Sequence, residues 1–355
     1  MLKPLIEPNA STVKAADFPH FGEPEEKLRF VLNYAVLAPS SHNTQPWLWE
    51  ITGDEIALWA DRSREMPALD ASGRELILSC GAALQHLRLA IRAFGYADII
   101  SILPDRAQPD LLARVRLCQQ REPSPDDALL FSYIAERHTS RQQFEDRALP
   151  AELLQALQQE ASQEGVTLHL VQSQTERDEI IKLIKYGALV QSSDSATRRD
   201  QADWMTPAHS ERRDGIPTRA LGISDLISRV APFALRVLDR GDAGADQQGH
   251  LAENAPVLAV LCTDDEGPEA WLAAGQALSR VLLRARAAGV WASFFSQPVQ
   301  VDEAWVQLRH ALGIRNFPQL VFRLGYAEPT SEPTPATPRR PADEVTMTTG
   351  NGMSQ

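Results

Sequence analysis

The sequence predicts an α+β fold made of two tandem repeats, in which mixed or antiparallel sheets and flanking helices surround two long central buried helices. Two observations support this prediction: a helical segment recurs at a fixed offset, and short apolar strand patterns alternate with helices in both parts of the chain. The chain has 355 residues and is 43% hydrophobic, enough for two domains. We place the two halves at residues 25–127 and 128–345.

Two predicted helices carry the internal repeat. An offset of 194 residues (275 − 81) relates four pairs: Gly81 and Gly275, Leu84 and Leu278, Leu89 and Leu283, Gly95 and Gly289. Each segment is apolar on more than one side, which is typical of a buried helix. We therefore expect the two helices to pack together at the centre of the molecule. The alternative is a chance match between two helices rich in Leu and Ala.

Short apolar runs predict the strands. Residues 48–60 predict a hairpin that turns at Gly53 and Asp54. Further strands are predicted at residues 97–103, 113–118, 167–171, 255–262 and 319–326. A helical run at residues 175–184 follows the first strand of the second half.

Charge and cysteine content limit the kinds of partner. The formal net charge of −12 disfavours a nucleic acid or an anionic membrane as the main partner. Cys80, Cys118 and Cys262 lie far apart, which predicts neither a disulfide framework nor a zinc site and suits a reducing cytoplasm. The eight histidines are scattered, so no metal site is predicted. No apolar run approaches eighteen residues, so no membrane span is predicted.

Both ends of the chain predict little regular structure. Residues 1–24 are polar and lack the apolar core of a secretory signal. From Glu328 onward the chain is rich in Pro and Thr, which predicts a segment that runs over the surface or is disordered. The run TPRRP at residues 337–341 is the exception, because Arg339 and Arg340 place two cations side by side.

The most informative polar segment is APSSHNTQPW, residues 38–47. Its two prolines hold the backbone in extended or turn geometry, so that polar groups between them are fixed in advance. Small hydroxyls and side-chain amides can bind the polar edge of a ring without carrying charge. A polar surface turn is the alternative for such a composition. The candidate binding residues are Pro39, Ser40, Ser41, Asn43 and Gln45.

A second polar motif, ERHTSRQQF, spans residues 136–144. In an extended segment alternate side chains share one face, so Arg137, Thr139 and Arg141 would point the same way. Two guanidiniums and a hydroxyl can bind a phosphate through charge-assisted hydrogen bonds. The alternative is a solvated basic start of a helix.

These two motifs resemble the cofactor-binding segments of the nitroreductase family, whose members are usually FMN-dependent homodimers. The resemblance implies that residues 39–47 contact the flavin. It implies that the FMN phosphate and ribityl chain are held by Arg137, His138, Thr139 and Arg141. It also implies that Arg339 or Arg340 closes on the phosphate, and that the backbone near Ser296 and Gln297 lies against flavin N5.

Each half carries only one of the two family motifs. The first half keeps residues 39–47 but retains only Arg29 of the expected opening motif. The second half keeps residues 136–144 but has ASQEG at residues 161–165, where the flavin-contacting motif is expected. The resemblance therefore implies a fused pseudo-dimer similar to the Acg-like branch of the family, with one composite FMN site per chain. Such a chain would act as a monomer, and further homo-oligomers stay open.

The resemblance implies an FMN-dependent oxidoreductase in which flavin N5 carries the chemistry and no side chain is catalytic. NAD(P)H would be the transient electron donor, and a nitroaromatic or quinone-type small molecule the acceptor. Residues 201–231 match no core element of either repeat and predict a lid. A lid that stays closed would favour the alternative, an FMN-sequestering or storage protein with little reductase activity.

Overall fold

Two halves with the same plan follow one another along the chain. The structure is a computed structural model that describes residues 13–239, 241–328 and 336–347. The expectations for residues 1–12, 329–335 and 348–355 lie outside the described residues. In each half a helix precedes a four-stranded antiparallel sheet, and one long buried helix packs against that sheet.

The first half is built around one antiparallel sheet with the strand order β1-β2-β4-β3. The hairpin predicted for residues 48–60 is confirmed, because Thr52 pairs with Glu55 across a turn in which Gly53 has a φ of 60°. The elements are α1 (Pro24–Ala35), β1 (Trp47–Thr52), β2 (Glu55–Ala60), α2 (Arg74–Ala93), β3 (Tyr96–Ile102), β4 (Leu111–Gln120) and α3 (Pro125–Ser132).

The second half repeats this topology with a long insertion. Its first part contains α4 (Ala151–Ser162), β5 (Thr167–Leu170), α5 (Gln174–Ser193), α6 (Ser195–Asp203), β6 (Met205–Thr206), β7 (Ile216–Pro217), α7 (Asp225–Ser228), α8 (Ala231–Val237) and α9 (Gly241–Glu253). Then follow β8 (Val257–Thr263), α10 (Pro268–Ala287), β9 (Trp291–Phe294), α11 (Gln297–Gln300), α12 (Asp302–Leu312) and β10 (Phe317–Gly325). The sheet order β5-β8-β10-β9 matches that of the first half, strand for strand, while β6 and β7 pair separately.

The two helices that carry the sequence repeat, α2 and α10, pack against each other through their glycines. A Cβ atom on Gly81 would collide with the carbonyl oxygen of Leu272, and a Cβ on Gly275 would collide with that of Leu78. The same 194-residue offset relates Leu78 to Leu272, so the two contacts are reciprocal. Reciprocal contacts are the mark of two-fold packing. The predicted two-repeat architecture is therefore confirmed.

The hydrophobic cores of the two halves interlock at this helix pair. Leu272 of α10 is fully buried in the first-half cluster, and Leu78 of α2 belongs to a second-half cluster. Each half thus completes the core of the other. A site between the halves is consequently held by a rigid contact.

The C-terminal segment returns to the first half. Met347 N donates to the Trp49 carbonyl (2.7 Å), and Thr346 forms an isolated β-bridge with Trp49. The expectation of a surface tail is wrong for residues 342–347, because Ala342 and Val345 are buried in the first-half core. Contacts of this kind are not predictable from the composition of a segment rich in Pro and Thr.

The described ranges contain neither a candidate membrane span nor a cluster of metal-ligating side chains. No helix among them combines the length and the apolar character needed to cross a membrane. The same residues contain no group of three or more His, Cys, Asp or Glu side chains placed to hold a metal ion.

Candidate functional site

A cavity of about 400 Å³ is lined by both halves of the molecule. This volume lies in the range of roughly 300–1,000 Å³ that is usual for small-molecule and cofactor sites. The first half contributes residues 39–43 and the start of α2, and the second half contributes the motif of residues 136–144 and the loop after β9. The C-terminal segment adds Thr337 and Arg339.

The first-half motif forms a strained turn at the cavity wall. His42, Asn43 and Gln45 have φ values of 48°, 57° and 52°. This left-handed region costs a non-glycine residue about 1–3 kcal/mol, and such residues cluster at functional sites. The strain marks this segment as one whose backbone shape is imposed by its surroundings.

Helix α2 holds this turn in place. Ser41 N donates to Ser79 Oγ (3.1 Å), and Ser41 Oγ donates to Glu75 Oε2 (2.6 Å). Ser40 Oγ accepts from Gln45 N at 3.0 Å, which closes the turn on itself. Pro39, Ser40, Ser41 and Asn43 consequently line the cavity.

The second-half motif is fixed against β9 and β10. Ser140 N donates to the Ala292 carbonyl (3.1 Å), and Arg323 donates to the Gln142 carbonyl (2.6 Å). The structure brings four residues of this motif to the cavity: Arg137, His138, Thr139 and Arg141. In an extended strand, His138 would point to the face opposite Arg137 and Thr139. Residues 137–141 do not form a strand, so His138 can line the same cavity as its neighbours.

Three guanidiniums at the cavity have no carboxylate partner among the residues that the structure describes. We call Arg137, Arg141 and Arg339 the unpaired cluster. Arg137 and Arg339 are only 7% and 8% exposed. Arg137 donates to the Leu37 carbonyl (3.3 Å), Arg339 donates to Asn43 Oδ1 (2.8 Å), and the Nε of each is buried without a partner.

Burial disfavours the charged form of these side chains. It lowers the pKa of Arg137 to about 10, and burial followed by repulsion from Arg137 lowers the pKa of Arg339 to about 9. Burial also lowers the pKa of Arg141. Buried positive charges without counter-ions are costly, so this arrangement is suited to binding an anion.

Two histidines at the cavity are held neutral. Burial, and then the charge of Arg141, lowers the pKa of His42 to about 4. Burial, and then the charge of Arg137, lowers the pKa of His138 to about 4. At neutral pH both rings therefore offer hydrogen bonds without adding positive charge.

Glu75 is a charged cavity residue that the sequence did not single out. It is 3% exposed, and burial, followed by the nearby carboxyl of Asp70, raises its pKa to about 7. It is the second residue of α2, where an acidic side chain is ordinary. No sequence signal therefore distinguished it from a helix-stabilising residue.

Two predicted binding residues lie away from the cavity lining. Gln45 is fully buried, its Nε2 donates to the Arg213 carbonyl (2.8 Å), and its Oε1 accepts from Arg340 N (2.8 Å). The Arg340 side chain lies 3.9 Å from Asp61 and donates to the Glu344 carbonyl (2.9 Å). Both residues join the C-terminal segment to the first-half motif.

The predicted pair Ser296 and Gln297 lies on the cavity wall at the start of α11. Helix α5 approaches this point closely. A Cβ on Gly187 would lie 2.8 Å from the Gln297 Cβ, so a larger residue at Gly187 would displace the loop. The glycine at position 187 thus permits the close approach of α5 to this loop.

Residues 201–231 cover one side of the cavity. Gly215 N donates to the Asn43 carbonyl (3.1 Å), Asn43 Nδ2 donates to the Gly215 carbonyl (2.9 Å), and Arg64 pairs with Asp214. This segment is therefore fastened to the first-half motif. It contributes to the lining with Gln201, Trp204, Met205, Ile216, Leu221 and Ile223.

Comparisons with known proteins identify relatives over most of the chain, although no family model matches it. A Mycobacterium tuberculosis protein provisionally named NAD(P)H nitroreductase Rv3131 is 30% identical over 329 residues, 92% of this chain and 92% of the relative. The protein provisionally named NAD(P)H nitroreductase Acg, from the same organism, is 29% identical over 321 residues, 90% of this chain and 94% of the relative.

Among solved structures, the FMN-dependent nitroreductase NfnB from Mycobacterium smegmatis, in complex with NADPH, is 17% identical to this chain. The match covers 62% of this chain and 99% of that chain with a TM-score of 0.42.

Proposed function

This chain belongs to the nitroreductase family, and on that premise we propose that it binds FMN and transfers reducing equivalents from NAD(P)H to nitroaromatic or quinone-type acceptors. The observation that carries the proposal is the unpaired cluster of Arg137, Arg141 and Arg339 at the cavity. A phosphate dianion would supply the negative charge that these residues lack. The names of the relatives supply the electron donor, NAD(P)H.

The cavity residues divide into two groups that fit the two ends of FMN. The unpaired cluster and Thr139 would hold the phosphate and the ribityl chain. The uncharged turn of residues 39–43 would contact the flavin ring with hydroxyl and amide groups, beside the loop that contains Ser296 and Gln297. When bound, the flavin accepts and donates the hydride, while the protein supplies binding, orientation and electrostatics.

The same division supports one FMN per chain. The cations of the proposed site come from the second half and the C-terminal segment, and the ring-contacting turn comes from the first half. A single chain would therefore build a composite site, as a dimer does across its interface. We accordingly keep the halves at residues 25–127 and 128–345, with residues 201–231 as a lid and the C-terminal segment as a basic tail.

A second function is favoured by the fastening of residues 201–231. The Asn43–Gly215 hydrogen bonds and the Arg64–Asp214 ion pair attach this segment directly to the proposed flavin-contacting turn. If these contacts persist in solution, NAD(P)H would reach the flavin slowly. The protein would then sequester or store FMN.

One spectrum separates the two functions. The purified protein should show flavin absorption bands, which should bleach when NADPH or NADH is added without oxygen. Bands that persist for minutes would favour storage. Absence of flavin, even after incubation with FMN, would contradict both functions.

Removal of the proposed phosphate contacts tests the cofactor site. The double variant Arg137→Ala/Arg141→Ala should bind FMN at least about 100-fold more weakly, because each charged hydrogen bond contributes about 1.5–3 kcal/mol. The matched control is Arg29→Ala/Arg106→Ala, which removes two exposed guanidiniums. Equal FMN affinity in both variants, measured by flavin fluorescence quenching, would contradict the assignment.

A further inference from the structure

The cavity contains a buried carboxyl group that the proposed cofactor contacts do not use. Glu75 lines the cavity beside Ser41, and its Oε1 is buried without a hydrogen-bond partner among the described residues. Its Oε2 lies 2.6 Å from Ser41 Oγ. Structural support of the turn would need only an acceptor such as a carbonyl or an amide. An acid is ordinary in the first turn of a helix, but its burial at 3% exposure, with one carboxyl oxygen unpartnered, requires a further explanation.

We propose that Glu75 stores the proton that is delivered, through the hydroxyl of Ser41, to the acceptor molecule when the acceptor is reduced. The inference rests on the proposed oxidoreductase function. A quinone that becomes a hydroquinone takes up one hydride and one proton. The hydride originates from NADPH by way of the cofactor, and the proton leaves the Glu75 carboxyl. Water then returns a proton to the Glu75 carboxylate.

The geometry of the pair suits a short relay. A hydroxyl both donates and accepts, so Ser41 Oγ can receive a proton from Glu75 and give up its own on the other side. Both side chains line the cavity, but Ser41 is only partly buried whereas Glu75 is 3% exposed. Glu75 is therefore a positioning residue that acts through Ser41, and Ser41 is the group that contacts the acceptor.

The charged groups around Glu75 favour its protonated form. Burial is the main cause of the raised pKa of Glu75 and the Asp70 carboxyl is the next, while the hydrogen bond from Ser41 and the charge of Arg74 oppose them. Arg74 donates to the Val299 carbonyl, which holds it away from a direct ion pair. His42, whose Nδ1 lies 3.3 Å from Ser41 Oγ, is the titratable group on the turn. On the cavity wall α10 and α11 contribute Leu278, Gln297 and Gln300, none of which is charged, and the side-chain amide of Gln300 lowers the pKa of Glu75 against the effect of burial.

The test separates the two half-reactions by stopped flow. Protein that has been reduced with NADPH is mixed with menadione without oxygen, and the rate of flavin reoxidation is measured from pH 5.5 to 9. The wild-type rate should fall as pH rises above about 7. Glu75→Gln keeps an acceptor for Ser41 but holds no proton, so its rate at pH 6 should be about 100-fold lower and independent of pH.

Two further variants distinguish the storage of the proton on Glu75 from its delivery through Ser41. The charge of Asp70 raises the pKa of Glu75. Asp70→Asn removes this charge, so the pKa of Glu75 should decrease and the fall in rate should occur at lower pH. Ser41→Ala should slow reoxidation as Glu75→Gln does. It should nevertheless keep the infrared carbonyl band of a protonated carboxyl group, which Glu75→Gln should lack. The control Glu65→Gln removes an exposed carboxyl and should change nothing.

Failure of this inference can be told apart from failure of the proposed function. If Glu75→Gln retains FMN and its flavin bleaches with NADPH, the proposed function stands. A wild-type rate and pH profile of reoxidation in that variant would then overturn the proton role. Absence of the carboxyl band in the wild-type protein at pH 6 would also overturn it.

Discussion

Two clusters of arginines in this molecule use the same side chain for opposite purposes. In the paired cluster, Arg280 and Arg284 of α10 contact Glu160 of α4 at 2.7 and 2.5 Å. In the same cluster, Arg88 and Arg92 of α2 contact Asp98 at 2.9 and 2.5 Å. In the unpaired cluster at the cavity, no described carboxylate lies within ion-pair distance of Arg137, Arg141 or Arg339.

Burial does not distinguish the two clusters, since Arg280 is 4% exposed and Arg137 is 7% exposed. The carboxylates distinguish them. Glu160 directly precedes residues 161–165, where the second copy of the flavin-contacting motif would be expected, and Glu164 lies within them, 3.7 Å from Arg88. Where acids are present the arginines stabilise the fold. Where acids are absent the charge is left for a ligand.

The largest expected effect is the loss of a carboxylate from the paired cluster. Glu160→Gln leaves Arg280 buried without a counter-ion, so the free energy of unfolding should fall by about 3–5 kcal/mol, measured by urea denaturation. The control Glu25→Gln breaks the exposed pair with Arg29 and should cost less than about 1 kcal/mol. Similar small losses in both variants would show that the paired cluster does not depend on its charges.

Replacement of one arginine by Met should change the stability of the FMN-free protein in opposite directions in the two clusters. Arg137→Met removes an uncompensated buried charge, so the FMN-free protein should become equally or more stable, by up to about 1–4 kcal/mol. Arg280→Met breaks the ion pair with Glu160 and should destabilise by a similar amount. Thermal unfolding of the two FMN-free proteins gives the comparison. Destabilisation by both variants would contradict the distinction between the clusters.

Acid should destabilise the side of the molecule that holds the unpaired cluster. His86 of α2 is fully buried, and burial followed by the charge of Arg137 lowers its pKa to about 3. This contribution to stability is complete above the unfolded-state pKa near 6.5 and is lost as pH falls towards 3. At pH 5 the loss should be about 2 kcal/mol.

His86→Gln should remove this part of the acid sensitivity when urea midpoints at pH 7 and pH 5 are compared. The control His209→Gln changes a side chain that is 79% exposed, so its pH dependence should match the wild type. An unchanged slope in His86→Gln would show that another group governs acid unfolding.

The smallest expected effect comes from adding an acid to the unpaired cluster. Thr337 Oγ1 accepts a hydrogen bond from Arg339 (2.6 Å), so Thr337→Glu would provide Arg339 with a carboxylate. The FMN-free protein should gain about 1 kcal/mol of stability, and FMN should bind about 10-fold more weakly, because the new carboxylate competes with the phosphate. Thr337→Gln, which has similar size and no charge, should show neither change.

The sequence by itself determined the architecture. The 194-residue offset predicted that α2 and α10 pack together, and periodicity predicted strands in both sheets, because apolar spacing along a short segment reflects which face is buried. It also identified both polar motifs, since the types and order of residues in a motif are local properties. Strand ends were less well predicted, and β9 was missed, because short strands depend on their neighbours.

The tertiary structure decided which polar residues reach the cavity. Gln45 and Arg340 belong to motifs that the sequence singled out, yet they join the C-terminal segment to the first-half turn. Glu75 drew no attention in the sequence, yet it lies on the cavity wall. The direction of a side chain in an irregular turn depends on the contacts of that turn, which are not encoded by spacing.

Whether an arginine is paired was also decided only in three dimensions. Arg284 and Glu160 are 124 residues apart in the chain but adjacent in space. Arg137 precedes both and meets no described carboxylate. Electrostatic interaction depends on distance and burial, and both are set by the packing of the two halves around α2 and α10.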